Sequence, residues 1–114
     1  MAIYESKLSG DFDELLGKLN AGILKGNISA TYEGGSDYSS SGVRCAVRVY
    51  ERHSIIGGTR VSLAITLIGN GDELFVTAIS SGGSRAVFFK INTLGENSFL
   101  QRAVDIIENY KHAR

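Results

Sequence analysis

The sequence predicts an α+β domain in the order β-α-β5-α, an antiparallel meander with a helix before it and a helix after it in the chain, both packed on one sheet face. Three observations predict it. Apolar residues recur at helical spacing near both ends, within residues 11–26 and 93–110. Between these ends, short runs of alternating apolar and polar residues are separated by Gly-rich pairs. Turns read at Asn70-Gly71 and at Gly82-Gly83 independently put the same apolar residues on one face. A chain of 114 residues has the length of a single domain, 1–114, and buries roughly two-thirds of the surface its unfolded form exposes.

The first element is a strand, "AIYESKL". A helix follows in "SGDFDELLGKLNAGILKGN", where Phe12, Leu15, Leu16, Leu19 and Ile23 share one face. Asp11 and Glu14 have the spacing of a capping box, and Lys25-Gly26-Asn27 supplies a basic and then a breaking end. "NISATYEG" alternates as the next strand and is joined through the Ser-rich loop "GSDYSSS" to "GVRCAVRVYERH". That stretch satisfies both periods, but Val43, Val47 and Val49 with Gly-rich flanks favour a strand.

Downstream, a turn centred on Asn70-Gly71 sets Leu67 opposite Leu74, Ile65 opposite Val76 and Leu63 opposite Ala78. A turn centred on Gly82-Gly83 then sets Ala78 opposite Val87, Val76 opposite Phe89 and Leu74 opposite Ile91. One face stays apolar across three strands. For the preceding strand, a two-residue turn at Gly57-Gly58 would force Arg48 and Arg52 onto that face, where an unpaired charge costs several kcal/mol. A three-residue loop of Ile56, Gly57 and Gly58 instead places Val47, Val49 and Cys45 inward and the arginines outward. The last helix carries Phe99, Leu100, Ala103, Val104, Ile107 and Tyr110, with Thr93 and Glu96 as a second capping box.

Strand order and helix placement of this kind resemble the TATA-binding-protein-like and helix-grip arrangement of many small ligand-binding domains, a likeness of fold that licenses no function. The stretch "SLAITLIGNGDELFVTAISSGGSRAVFFKINTLGENSFL" resembles a family of short, uncharacterised proteins of Gram-positive bacteria, a domain of unknown function. The resemblance covers nearly the whole chain. It implies a small cytoplasmic bacterial protein and carries over no activity, cofactor or catalytic residue.

Composition excludes some classes of function. Twelve basic and twelve acidic side chains cancel, which argues against a domain whose main business is non-specific binding to nucleic acid or anionic lipid. The charge is unevenly spread, with three Lys against six acids in residues 1–40 and six Lys or Arg against three acids in residues 41–90. Cys45 is the single cysteine, so an internal disulfide is excluded and a reducing, cytoplasmic setting fits. The N-terminus has neither the basic start nor the apolar run of a signal peptide, and no stretch approaches the roughly 20 apolar residues of a membrane span.

The expected site is the sheet face away from the helices, which by this register displays Arg44, Arg48, Tyr50, Arg52, Thr66, Phe75, Thr77, Phe88 and Lys90. Its aromatic and small residues point to self-association into a homo-oligomer, with a small-molecule ligand as the alternative. Arginines beside Tyr50 and Phe88 also suggest single-stranded nucleic acid, a reading disfavoured by the zero net charge. "SSGGSR" has the composition of an anion-binding nest but joins two strands and reads as a hairpin turn. His53 and His112 lack zinc spacing, and Cys45 and His53, eight residues apart, lie about 26 Å apart along a strand. No catalytic set converges, so the chain is expected to be non-enzymatic, with no cofactor and no metal.

Overall fold

The computed structural model describes residues 2–26, 29–53, 60–82 and 89–113, with residues 89–97 followed along the backbone only. The elements are β1 (Ala2–Ser9), α1 (Phe12–Gly26), β2 (Ala30–Ser40), β3 (Val43–His53), β4 (Arg60–Asn70), β5 (Glu73–Gly82) and α2 (Phe89–Ala113). Strands β2 to β5 form an antiparallel meander and β1 adds to β5, so the sheet order is β1-β5-β4-β3-β2. The α+β class, with a five-stranded antiparallel sheet and two helices, is as the sequence predicts.

Among the described residues the meander has four strands, β2 to β5, where five are expected. Phe89, Lys90 and Ile91, expected in a last strand, open α2, and residues 83–88 lie outside the described residues. The physical reason is competition for one edge. β1 pairs with β5 along its whole length, from Ala2 with Ser80 to Ser9 with Glu73, and leaves no ladder for another strand. Thr93 and Glu96, expected at the start of that helix, consequently fall inside α2, which begins at Phe89.

Strands β4 and β5 are joined by Gly71 and Asp72, not by Asn70 and Gly71. Gly71 holds a φ of 64°, and Gly at the first of two loop positions is the type II′ preference. The pairs are therefore Leu67 with Val76, Ile65 with Ala78 and Leu63 with Ser80. This is a slip of two residues from the expected pairing. A two-residue slip keeps every side chain on its face, so Leu63, Ile65, Leu67, Leu74, Val76 and Ala78 are all buried as expected.

The segment expected as a Ser-rich loop is strand. β2 runs to Ser40 and turns through Ser41 (φ 52°) and Gly42 (φ 84°), both in the left-handed region that a type I′ hairpin needs. A bulge at Glu33 shifts the β2–β3 register between Tyr32 and Gly34.

The core lies between the sheet and the two helices. Phe12, Leu15, Leu19 and Ile23 of α1 and Phe99, Leu100, Ala103, Ile107 and Tyr110 of α2 are buried with the inward residues of β4 and β5. Each large apolar side chain removed from water contributes roughly 1.5–3 kcal/mol. At the start of α1, Asp11 Oδ2 accepts the Glu14 N–H at 2.8 Å, half of the expected capping box. The other half is rerouted through α2, because the Tyr110 hydroxyl accepts the Asp11 N–H at 2.8 Å and donates to Glu14 Oε1 at 2.9 Å. One buried tyrosine thus ties the end of the chain to the first turn of α1.

Candidate functional site: the open sheet face

Strand β3 decides what each sheet face carries. Its pairing with β4 sets Ala46 opposite Leu67, Arg48 opposite Ile65, Tyr50 opposite Leu63 and Arg52 opposite Val61. Even-numbered side chains of β3 therefore share the helix side with the core, the reverse of the expected parity. Ala46 and Tyr50 are fully buried there, and the arginines alternate with them.

The expected cost of charge on that side is avoided because each guanidinium reaches a polar or aromatic partner at the rim of the helix layer. Arg44 makes a bidentate contact with Asp13 at 2.9 and 2.9 Å while lying 4.2 Å over the Phe12 ring, so two successive residues of the first turn of α1 receive it. Phe12 in turn lies over Gly69, where an added Cβ would come within 2.7 Å of the ring. Arg48 crosses Gly35 to reach Asp37 at 2.9 Å and donates to the Val47 carbonyl at 2.9 Å. Arg52 donates to Ser98 at 3.0 Å and lies 5.4 Å from the Phe99 ring centre.

These contacts set the local electrostatics. The Arg44 hydrogen bonds hold the Asp13 carboxyl below its ordinary range, and Asp13 raises Arg44 in return. Burial pushes the Tyr50 hydroxyl up to about 12, and that hydroxyl donates to Asn20 of α1 at 2.8 Å. Tyr32 packs edge-on against Tyr50 with ring centres 5.7 Å apart.

The expected site is consequently split between the two faces. Arg44, Arg48, Tyr50 and Arg52 turn toward the helices. Thr66, Phe75 and Thr77 are on the open face as expected, half-buried by their neighbours. Lys90 belongs to α2 with its side chain outside the description, and Phe88 lies outside the described residues. Cys45, expected in the core, is on the open face, half-buried, with Val47 and Val49 on the same side. Sequence reasoning saw the alternation of these three residues and assigned it to the wrong side.

The open face is built from cross-strand rows. One row reads Lys7, Phe75, Ile68, Cys45, Tyr38; the next reads Glu5, Thr77, Thr66, Val47, Ser36; a third reads Ile3, Ile79, Ala64, Val49, Gly34. On the three central strands these rows present no charge at all. On this face charge lies on β1, with Glu5 and Lys7, at Glu73 where β5 begins, and at the far end, where Glu51 pairs with Arg60 at 3.3 Å. Ile3, Tyr38 and Ile68 are 59, 71 and 37% exposed. Where β1, β4 and β5 end together, a groove of about 560 Å³ is lined by Lys7, Ser9, Ile68, Asn70, Glu73 and Phe75, among others.

A second polar cluster sits on the helix side, where the end of α2 meets β1. Tyr4 donates to Glu108, Lys111 donates to Ser6 at 3.0 Å, and His112 lies 3.2 Å from Glu108. Burial, then the Glu108 contact, raises the Tyr4 hydroxyl, and the Tyr4 hydrogen bond lowers the Glu108 carboxyl. The partners are consumed in pairs that fasten the last turns of α2 to β1. No group of three or more His, Cys, Asp or Glu suited to a metal ion occurs among the described residues, and among them no helix is long and apolar enough to cross a membrane.

Fold and site together define a small α+β domain with one sheet face under two helices and the other left uncovered by the described residues. The chain belongs to DUF6054, a family of unknown function whose model matches residues 1–111. No curated protein matches it.

Proposed function

We propose that this chain is a non-enzymatic, cytoplasmic domain that self-associates through the open sheet face. The observation that carries the proposal is the uncharged patch formed by Cys45, Val47, Val49, Ala64, Thr66, Ile68, Phe75, Thr77 and Ile79. Reversal of β3 parity makes this face more apolar than the sequence suggested, because it exchanges three arginines for two valines and a cysteine. Solvent-exposed apolar patches of this breadth mark interaction surfaces. With strands about 4.8 Å apart and rows about 6.7 Å apart, the three rows span roughly 500 Å² per copy in projection, about 1,000 Å² for a pair. That is where specific interfaces begin. A lone thiol on this face is consistent with a reducing compartment.

Light scattering across a concentration series tests the proposal. The expected mass is a multiple of 12.3 kDa that falls to the single-chain value in Thr66→Glu, since a carboxylate cannot be desolvated on that patch without a partner. A wild-type mass that stays at 12.3 kDa at every concentration overturns it.

A small-molecule reading has one specific observation in its favour, the groove at Lys7, Ile68, Asn70 and Phe75, whose volume is within the range of ligand sites. It combines an apolar floor with the Lys7 ammonium, the Glu73 carboxylate and the Asn70 amide. A nucleic-acid reading loses its basis, because the arginines that were to contact phosphates turn to the helix side and engage Asp13, Asp37 and Ser98.

A further inference from the structure

We infer that, if the open face is the self-association surface proposed above, two copies meet on it about a two-fold axis running along β4, the middle strand of five. Sheets that pack face to face keep their strands within about 30° of alignment. A closed pair on one shared patch therefore has its axis either across the strands or along them. The rows distinguish these arrangements.

An axis across the strands through Thr66 lays each strand over its own copy, and Glu5 then faces Glu5 of the second copy. Moving that axis half a row to bring Glu5 over Lys7 carries Ile79 onto Glu73, so an apolar row covers a charged one. An axis along β4 opposes no like charges within the three rows, and its one contact of charge with an apolar side chain, Glu73 over Val43, falls outside the three rows of the patch. It reverses strand order while keeping the rows, so β1 covers β2 of the second copy and β5 covers β3. Phe75 then faces Cys45, Ile79 faces Val49 and Thr77 faces Val47, while Thr66 and Ile68 each meet their own copies. At the margins the exposed Ile3 meets Gly34, Lys7 meets the Tyr38 ring and Glu5 meets Ser36. Each residue of β5 in these rows faces a residue of β3 with no more heavy atoms, and no like charges are opposed there.

The pairing of Glu5 with Ser36 supplies the test, since both positions are exposed on opposite outer strands and neither touches the core. Along-strand symmetry places each position 36 beside a Glu5 carboxylate twice per pair. The dissociation constant is measured by sedimentation equilibrium at low salt for Ser36→Lys, Ser36→Glu and the double variant Glu5→Lys/Ser36→Glu. Ser36→Lys should tighten association and Ser36→Glu weaken it, each by roughly three- to ten-fold as two rim charge pairs give, and the double variant, which restores opposite charges with their places exchanged, should tighten association to about the Ser36→Lys value. With an axis across the strands, position 36 faces β2 of the second copy, and Lys and Glu there move affinity in the same direction. A shift of the same sign for both substitutions overturns the axis while leaving self-association standing. A wild-type chain that is monomeric throughout overturns the proposed function and the axis together.

Discussion

On the helix side of β3, Arg44, Arg48 and Arg52 alternate with Ala46 and Tyr50; on the open side of the same strand stand Cys45, Val47 and Val49. Composition alone would assign these sets the other way round. The covered face tolerates its arginines because the helices roof only part of β3. Ala46 and Tyr50 fall beneath the roof, while each guanidinium extends to its rim and finds Asp13, Asp37 or Ser98. On the open face Val47 and Val49 are half-buried by their neighbours in the sheet, and in the proposed pair a second copy would exclude the remaining water. The difference teaches that a sheet face is made a core by what packs on it, and that flexible cationic side chains can live at the margin of one.

The largest expected effect contrasts neighbours on opposite faces of the sheet. Leu63→Ala removes a fully buried side chain and should lower unfolding free energy by about 2–5 kcal/mol. Val49→Ala, measured by urea unfolding in the monomeric Thr66→Glu background, should cost under about 1 kcal/mol, as a half-exposed site does. Equal costs would mean that the open face is packed within a single chain, and the comparison would fail.

Next in size is Gly69→Val. Gly69 lies on the helix side between Arg44 of β3 and Leu74 of β5, and the Phe12 ring occupies the space its side chain would take. Overpacking of this kind costs about 1–3 kcal/mol. Displacing Phe12 also removes the ring beneath Arg44, so thermal unfolding of Gly69→Val should drop while that of Gly71→Ala reports only turn strain.

Much of the covered face was legible in the sequence. Leu63, Ile65 and Leu67 alternate with Ala64, Thr66 and Ile68, and a contrast of size as well as polarity survives a two-residue slip in register. The helix faces were legible for the same reason. Strand β3 was not, because both of its sides satisfy an apolar criterion in part and the deciding term is how far an arginine can reach, a property of the assembled rim. The site was therefore half legible: Thr66, Phe75 and Thr77 were placed correctly, and Arg44, Arg48, Tyr50 and Arg52 were not. The start of α2 was hidden for a different reason. Phe89 and Ile91 are strand-forming residue types, but the edge they would join is taken by β1, about 80 residues earlier in the chain. No local pattern records that competition. The Gly- and Ser-rich β2 likewise owes its extended form to pairing with β3 and not to its own propensity.

Tyr50 gives a smaller effect with a defined pH window. Its hydroxyl pKa is raised to about 12 by burial, above the ordinary value near 10. The neutral form is thus favoured in the folded chain. The stability this represents is complete below pH 10 and is lost as pH rises toward 12, because the unfolded state ionises first. Tyr50→Phe removes the bond to Asn20, worth about 1 kcal/mol at neutral pH, yet should lose less stability between pH 9 and 11 than wild type. Urea midpoints at those two pH values check it. Parallel alkaline losses in both proteins would assign the effect to the other tyrosines.

The smallest expected effect belongs to Arg44 and Asp13, both open to solvent, where screening leaves little net stability. Titration is the sensitive measurement here. Asp13 stands in the first turn of α1, so the helix dipole and the guanidinium both favour its charged form. Their contributions separate in Arg44→Met, which keeps the helix and removes the cation. The Asp13 carboxyl, followed by NMR, should titrate higher in Arg44→Met than in wild type, because the Arg44 hydrogen bond is the leading cause of its lowered pKa. Since a lowered folded pKa stabilises only above the unfolded value, any stability gap between the two proteins should close as pH falls through the carboxylate range. An unmoved titration midpoint would mean that the helix terminus alone holds the proton off. Arg44 would then be kept on the covered side by its stacking on Phe12, and the rim would owe its tolerance of charge to aromatic contact and not to ion pairing.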